Sequence, residues 1–95
     1  MPGYLIARVN VTDPEQYRKY TQVTPGVIEK YGGRFIVRGG PAVTLEGPEE
    51  TNRLVVIEFP SRERAIEFYR SAEYQEARKL REGAALGSFV AVEGA

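Results

Sequence analysis

Five polar residues are spaced so that strand alternation would gather them on one side of a sheet. They are Arg8 and Asn10 in the first extended segment, Arg34 and Arg38 in the second, and Glu58 in the third. Guanidinium groups grip a carboxylate, phosphate or enolate through two parallel hydrogen bonds. A carboxylate drawn away from water has a raised pKa and can take up a proton, which makes Glu58 the candidate general base and the one candidate catalytic residue. The same residues have a plainer use: Glu58 can pair with Arg8, Arg34 or Arg38 across neighbouring strands and fix register or an interface. Tyr74 joins the candidate ligand-binding set, because it follows a break at Ser71 that would turn its ring toward the end of the sheet. Tyr17, Tyr20, Tyr31 and Tyr69 read as core residues whose hydroxyls reach the surface.

Composition narrows the chemistry further. The 95 residues include no cysteine and no histidine, which removes thiol nucleophiles, imidazole bases and the usual ligands of zinc, copper or haem iron. No metal site and no cofactor are expected. Thirteen basic residues balance thirteen acidic ones, so there is no long-range field to draw nucleic acid or an anionic membrane to the surface. No apolar run reaches the length of a membrane span and no signal-peptide pattern precedes the first strand, which leads to the expectation of a cytoplasmic protein. Arg38-Gly39-Gly40 is a turn and not a phosphate loop, since the Lys and Ser or Thr of such a loop do not follow.

The elements that must position these residues follow from periodicity and caps. A chain of this length makes one domain over residues 1–95. Tyr4 to Val11 alternates as a strand, with Leu5, Ala7 and Val9 on one side and Tyr4, Ile6, Arg8 and Asn10 on the other. Asp13-Pro14 starts a helix carrying Tyr17, Tyr20, Thr24, Val27, Ile28 and Tyr31 on one stripe, with a kink or restart expected at Pro25 and an end at Gly32-Gly33. Arg34 to Arg38 is a second strand, broken at Gly39-Gly40-Pro41 and continued by Ala42 to Glu46. Asn52 to Phe59 is the most apolar strand, Ser61 caps a helix through Tyr69, and Ser71 caps a further segment with Tyr74, Ala77 and Leu80. Ser88 to Glu93 closes the chain as a last strand after release through Gly83 to Gly87.

The order β, α, β, β, α, β predicts an α+β, ferredoxin-like βαββαβ fold: a four-stranded antiparallel sheet with two helices on one face. The helices should cover Leu5, Ala7, Val9, Phe35, Val37, Val55, Ile57, Phe59, Val90 and Val92. The open face should then present Ile6, Ile36, Leu54, Val56 and Phe89, with Tyr4 and Ala91, an apolar patch that a second copy would cover as a homodimer.

GYLIARV at the start, DPEQY opening the first helix, YGGRFIVRGG at residues 31–40, LVVIEFPS at 54–61 and FYRSAEYQ at 68–75 together resemble one family. It is the domain of unknown function 1330, in the dimeric α+β barrel superfamily, and the resemblance covers nearly the whole chain. Phe68 stands where relatives often carry tryptophan and Ala72 where proline is common; both keep the physical role. The resemblance implies the ferredoxin-like fold and a dimer whose sheets face each other as a barrel, and it implies no established reaction. Two functions stay open. The first is binding of a small anionic or carbonyl-bearing metabolite at the barrel cleft. The second is a cofactor-independent enzyme, monooxygenase-like or a proton-abstracting isomerase, which the superfamily analogy supports.

Overall fold

A computed structural model describes all 95 residues. Its elements are β1 (Gly3–Val11), α1 (Pro14–Lys30), β2 (Arg34–Arg38), β3 (Arg53–Phe59), α2 (Arg62–Arg70), α3 (Ala72–Lys79) and β4 (Ala85–Glu93). The four strands form one antiparallel sheet in the order β2-β3-β1-β4. The ferredoxin-like expectation holds, with three helices where two were expected. Ser71 is the reason: its hydroxyl donates to the Phe68 carbonyl at 2.7 Å and accepts from the Tyr74 amide at 3.1 Å, ending α2 and capping α3 with one side chain. No helix is long and apolar enough to cross a membrane.

The helix-covered face holds the core. Leu5, Ala7 and Val9 of β1 and Val55, Ile57 and Phe59 of β3 are all buried there, with Phe68 of α2 and Tyr74 of α3 packed over them. Phe59, Phe68 and Tyr74 are the largest fully buried side chains. Each contributes about 1.5–3 kcal/mol by leaving water.

Three expectations about the elements need correction. Helix α1 runs unbroken through Pro25, because Tyr20, Thr24 and Ile28 bury on one stripe either side of it and that packing outweighs the lost hydrogen bond. Ala42 to Glu46 is not a strand; the chain from Gly40 to Asn52 crosses from β2 to β3 as an irregular loop, in which the Glu50 amide bonds the Thr44 hydroxyl. In β4 the two faces are exchanged. Ala7 pairs with Phe89 and Leu5 with Ala91, so Phe89 and Ala91 point to the helices while Val90 and Val92 stand on the open face, 57% and 41% exposed. Alternation groups residues by side but does not say which side meets the core, and β4 carries apolar residues on both.

Candidate functional site

On the open face Glu58, Arg34 and Arg8 each meet a group of opposite charge. Antiparallel register sets Glu58 opposite both Arg34 and Tyr4. Arg34 donates from Nε to Glu58 Oε1 at 2.8 Å, and the Tyr4 hydroxyl donates to Oε2 at 3.2 Å. The Arg34 hydrogen bond is the main cause holding the Glu58 carboxyl below the usual carboxylate range; burial pushes the other way, and Tyr4 adds to the lowering. A candidate base with a raised pKa is therefore not what stands here. Arg8 meets Glu50 of the β2–β3 loop, with Nε 3.2 Å from Oε1. Asn10 lies opposite Leu86 at the far end of the same face.

Arg38 is elsewhere. A register shift between Phe35 and Val37 inserts an extra residue, so Val37 pairs with Val56 on the open face and Arg38 pairs with Val55 on the helix side. Arg34 and Arg38 thus lie on opposite faces, and Arg38 shares no site with Glu58. Its guanidinium sits 4.1 Å above the centre of the Phe35 ring.

The bulge delivers Arg38 to a cleft between the sheet and α1. The inner part is a cavity of about 40 Å³ with a largely apolar lining; Tyr17, Tyr20, Tyr74, Arg38 and Arg53 are its chemistry-bearing residues. It has room for a small chemical group, not a whole metabolite. An outer hollow of about 460 Å³ shares Tyr17, Thr21, Arg38 and Arg53 with it and adds Arg18. Arg53 opens β3 on the core-facing parity, opposite Val9. Gly39, at φ 69°, makes room for it: a Cβ there would collide with the Arg53 guanidinium. The Arg53 Nε is buried without a hydrogen-bond partner.

Behind the inner cavity, in the turn between α3 and β4, Arg81 is 8% exposed. Its Nη2 lies 3.4 Å from the Tyr74 hydroxyl, which in turn lies 2.8 Å from that of Tyr20. Its own Nε is also buried and unpartnered. Burial is the largest single influence on Arg81 and opposes its charge, but the hydrogen bond to Tyr74 and the further pull of Tyr74 and Tyr20 together outweigh it, so its pKa is raised and the guanidinium stays charged. Burial, followed by the neighbouring Tyr74, pushes the Tyr20 phenol well above its ordinary value, and burial raises Tyr17 against the opposing influence of Arg53. These phenols are hydrogen-bond donors at neutral pH and not bases. None of Arg38, Arg53 and Arg81 takes part in an ion pair, and no carboxylate lines the inner cavity.

Tyr74 therefore belongs to the cleft, but as a core residue 1% exposed, not as a ring turned to the end of the sheet. Sequence reasoning missed Tyr17, Tyr20, Arg53 and Arg81. Arg53 had a signal, since it shares the parity of Val55, Ile57 and Phe59. Arg81, in an aperiodic turn, had none.

Residues 2–95 match the model of the domain of unknown function DUF1330. The protein belongs to that family. No curated protein matches it. Among solved structures, a protein of unknown function from Rhodopseudomonas palustris is 25% identical, with a TM-score of 0.77 over 99% of this chain and 82% of that one. SnoaB, a cofactor-independent oxygenase from Streptomyces nogalater, is 7% identical, with a TM-score of 0.69 over 99% and 93%. An ethyl tert-butyl ether d family protein from Bacillus halodurans is 17% identical, with a TM-score of 0.61 over the full length of both chains. The last two likenesses are of fold. This DUF1330 chain shares with them the sheet-and-helix frame in which the cleft lies.

Proposed function

We propose that this DUF1330 protein binds a small anionic molecule in the cleft between the sheet and α1. The anion lies at Arg38 and Arg53, and an apolar body lies in the outer hollow with one terminal group entering the inner cavity. The observation that carries this reading is Arg53, whose Nε is buried at the wall of a cavity with no partner of its own. A buried donor on a charged group costs free energy until it is paired, and an incoming carboxylate or enolate pairs it. Arg38 is thus a ligand contact, whereas Arg8, Asn10, Arg34 and Glu58 serve the open face.

That face supports a second part of the proposal. Ile6, Ile36, Val37, Leu86, Val90 and Val92 are all exposed apolar residues, and a second copy of the chain covers them as a homodimer.

The test of binding is calorimetric titration of 4-acetylbenzoate, a small aromatic carboxylate, into wild type, Arg38→Met and Arg53→Met. Binding by wild type, weakened in both variants, is the expected result. No binding by wild type, or undiminished binding by both variants, would refute the reading.

A second reading, cofactor-independent oxygenation, is favoured by the frame shared with SnoaB. In this chain the inner cavity has no carboxylate or imidazole to take a proton. Its arginines suit a substrate that arrives as the anion. Oxygen uptake with a phenolate in the wild-type protein, abolished by Arg53→Met, would establish it over simple binding.

A further inference from the structure

Tyr20 and Tyr74 both line the inner cavity and are bonded to each other, so the direction of that bond decides what the cavity offers a ligand. Arg81 sets the direction. A guanidinium has donors and no acceptor, so the Tyr74 oxygen, 3.4 Å from Arg81 Nη2, accepts from it. The Tyr74 proton then goes to the Tyr20 oxygen, 2.8 Å away. A phenol has one proton, and that of Tyr20 is left without a partner among the side chains and main chain.

Arg81 is not free to take another role. Its guanidinium lies 4.8 Å from the centre of the Phe89 ring and 5.4 Å from that of Tyr20, in a position 8% exposed. No carboxylate draws it elsewhere, and its Nε has no partner at all. Reversing the tyrosine pair would ask the Tyr74 oxygen to accept from Tyr20 and Arg81 at once and would bring a second donated proton up beside the cation, which electrostatics opposes.

We propose that the cleft selects an oxo-carboxylate: the carboxylate lies at Arg38 and Arg53, and a neutral carbonyl oxygen further in accepts the hydrogen bond that Tyr20 has left to give. Arg81 is a positioning residue that acts through Tyr74. The proposal rests on the reading that the cleft binds an anion. It adds that a carbonyl oxygen is preferred to an apolar group of the same shape, because the apolar group leaves a buried hydroxyl unpaired.

The test is a matched pair of probes, 4-acetylbenzoate and 4-isopropylbenzoate, which share the carboxylate and nearly the same outline and differ in the carbonyl. Calorimetric titration into wild type should show the acetyl compound binding about fivefold tighter, the worth of one neutral hydrogen bond. Tyr20→Phe should bring the ratio to about one, while circular dichroism shows the fold unchanged. Arg81→Met should lower the ratio as well, since the tyrosine pair can then reverse, and Arg81→Lys, which still donates, should restore part of it. Arg38→Met should weaken both probes and preserve the ratio. A general structural disturbance would move both probes together and leave the ratio alone. If Arg81→Met does not fold, Tyr20→Phe decides. Equal affinities in wild type, or a preference that survives Tyr20→Phe, would overturn this inference and leave the anion reading standing; no binding of either probe would overturn both.

Discussion

The two faces of the sheet treat their arginines differently. On the open face Arg34 is tied to Glu58, which also takes a bond from Tyr4, and Arg8 is tied to Glu50. In the cleft Arg38 rests on an aromatic ring, and Arg53 and Arg81 each keep a buried Nε with no partner. The open-face arginines each face a carboxylate of opposite sign. The cleft charges are arranged by folding and left incomplete by it, and those of Arg53 and Arg81 lie where less water screens them. Charge in a strand pattern is weak guidance to a site; charge that the fold leaves unmatched beside a cavity is better guidance.

The largest expected effect tests the apolar part of the open face. Val56→Asp places an unpaired charge at its centre, and should convert a micromolar dimer into monomer with a loss of several kcal/mol in stability, read by light scattering and thermal melting. A variant that stays dimeric and melts like wild type would remove that face from the interface.

Next comes the contrast in binding. Arg53→Met should lower 4-acetylbenzoate affinity about ten- to hundredfold, as befits a lost contact between charged groups. Its melting temperature should hold or rise, because an unmatched partly buried charge gives way to an apolar side chain. Arg34→Met should do the reverse: unchanged affinity and a small drop in melting temperature, small because the pair it breaks is solvent-accessible. Equal losses of affinity in the two variants would erase the distinction between the faces.

The smallest effects lie in pH dependence, and the two regions should respond at opposite ends of the scale. Glu58 has a folded pKa below its unfolded value of about 4.3. Its contribution is present above that value and is lost as pH falls through the folded pKa, so Glu58→Gln should melt with a shallower acid limb. Tyr20 has a folded pKa raised above the phenol's ordinary value of about 10, by burial and then by Tyr74. That contribution is complete below about pH 10 and is lost as pH rises, so Tyr20→Phe should flatten the alkaline limb. Melting curves across pH measure both. An acid limb unchanged in Glu58→Gln would mean that the Arg34 pair does not persist in solution.

Much of this was legible in the chain, for local reasons. Apolar alternation with period two marked β1 and β3, Asp13-Pro14 marked the start of α1, and Ser61 and Ser71 marked the starts of α2 and α3, because caps and periodicity act within a few residues. The antiparallel sheet with helices on one face followed, as did the membership of Glu58 in the open face. Arg53 was readable too, as an arginine on the parity of Val55 and Ile57. The partner of Glu58 was not, since pairing of Arg34 with Glu58 depends on strand register between segments 24 residues apart.

Tertiary structure alone decided the rest. The bulge between Phe35 and Val37 moved Arg38 to the other face, and one inserted residue is enough to do that because side chains alternate strictly along a strand. The orientation of β4 was settled by pairing with β1, which seats Phe89 beside Ala7 and frees Val90 for the open side. The convergence of Tyr20 from α1, Tyr74 from α3 and Arg81 from the turn beyond it is a three-element contact with no local trace, because the hydroxyls meet only after the helices dock. The sequence by itself determined which elements form and which residues share a side. Docking and register determined which charges found partners and which were left facing the cleft.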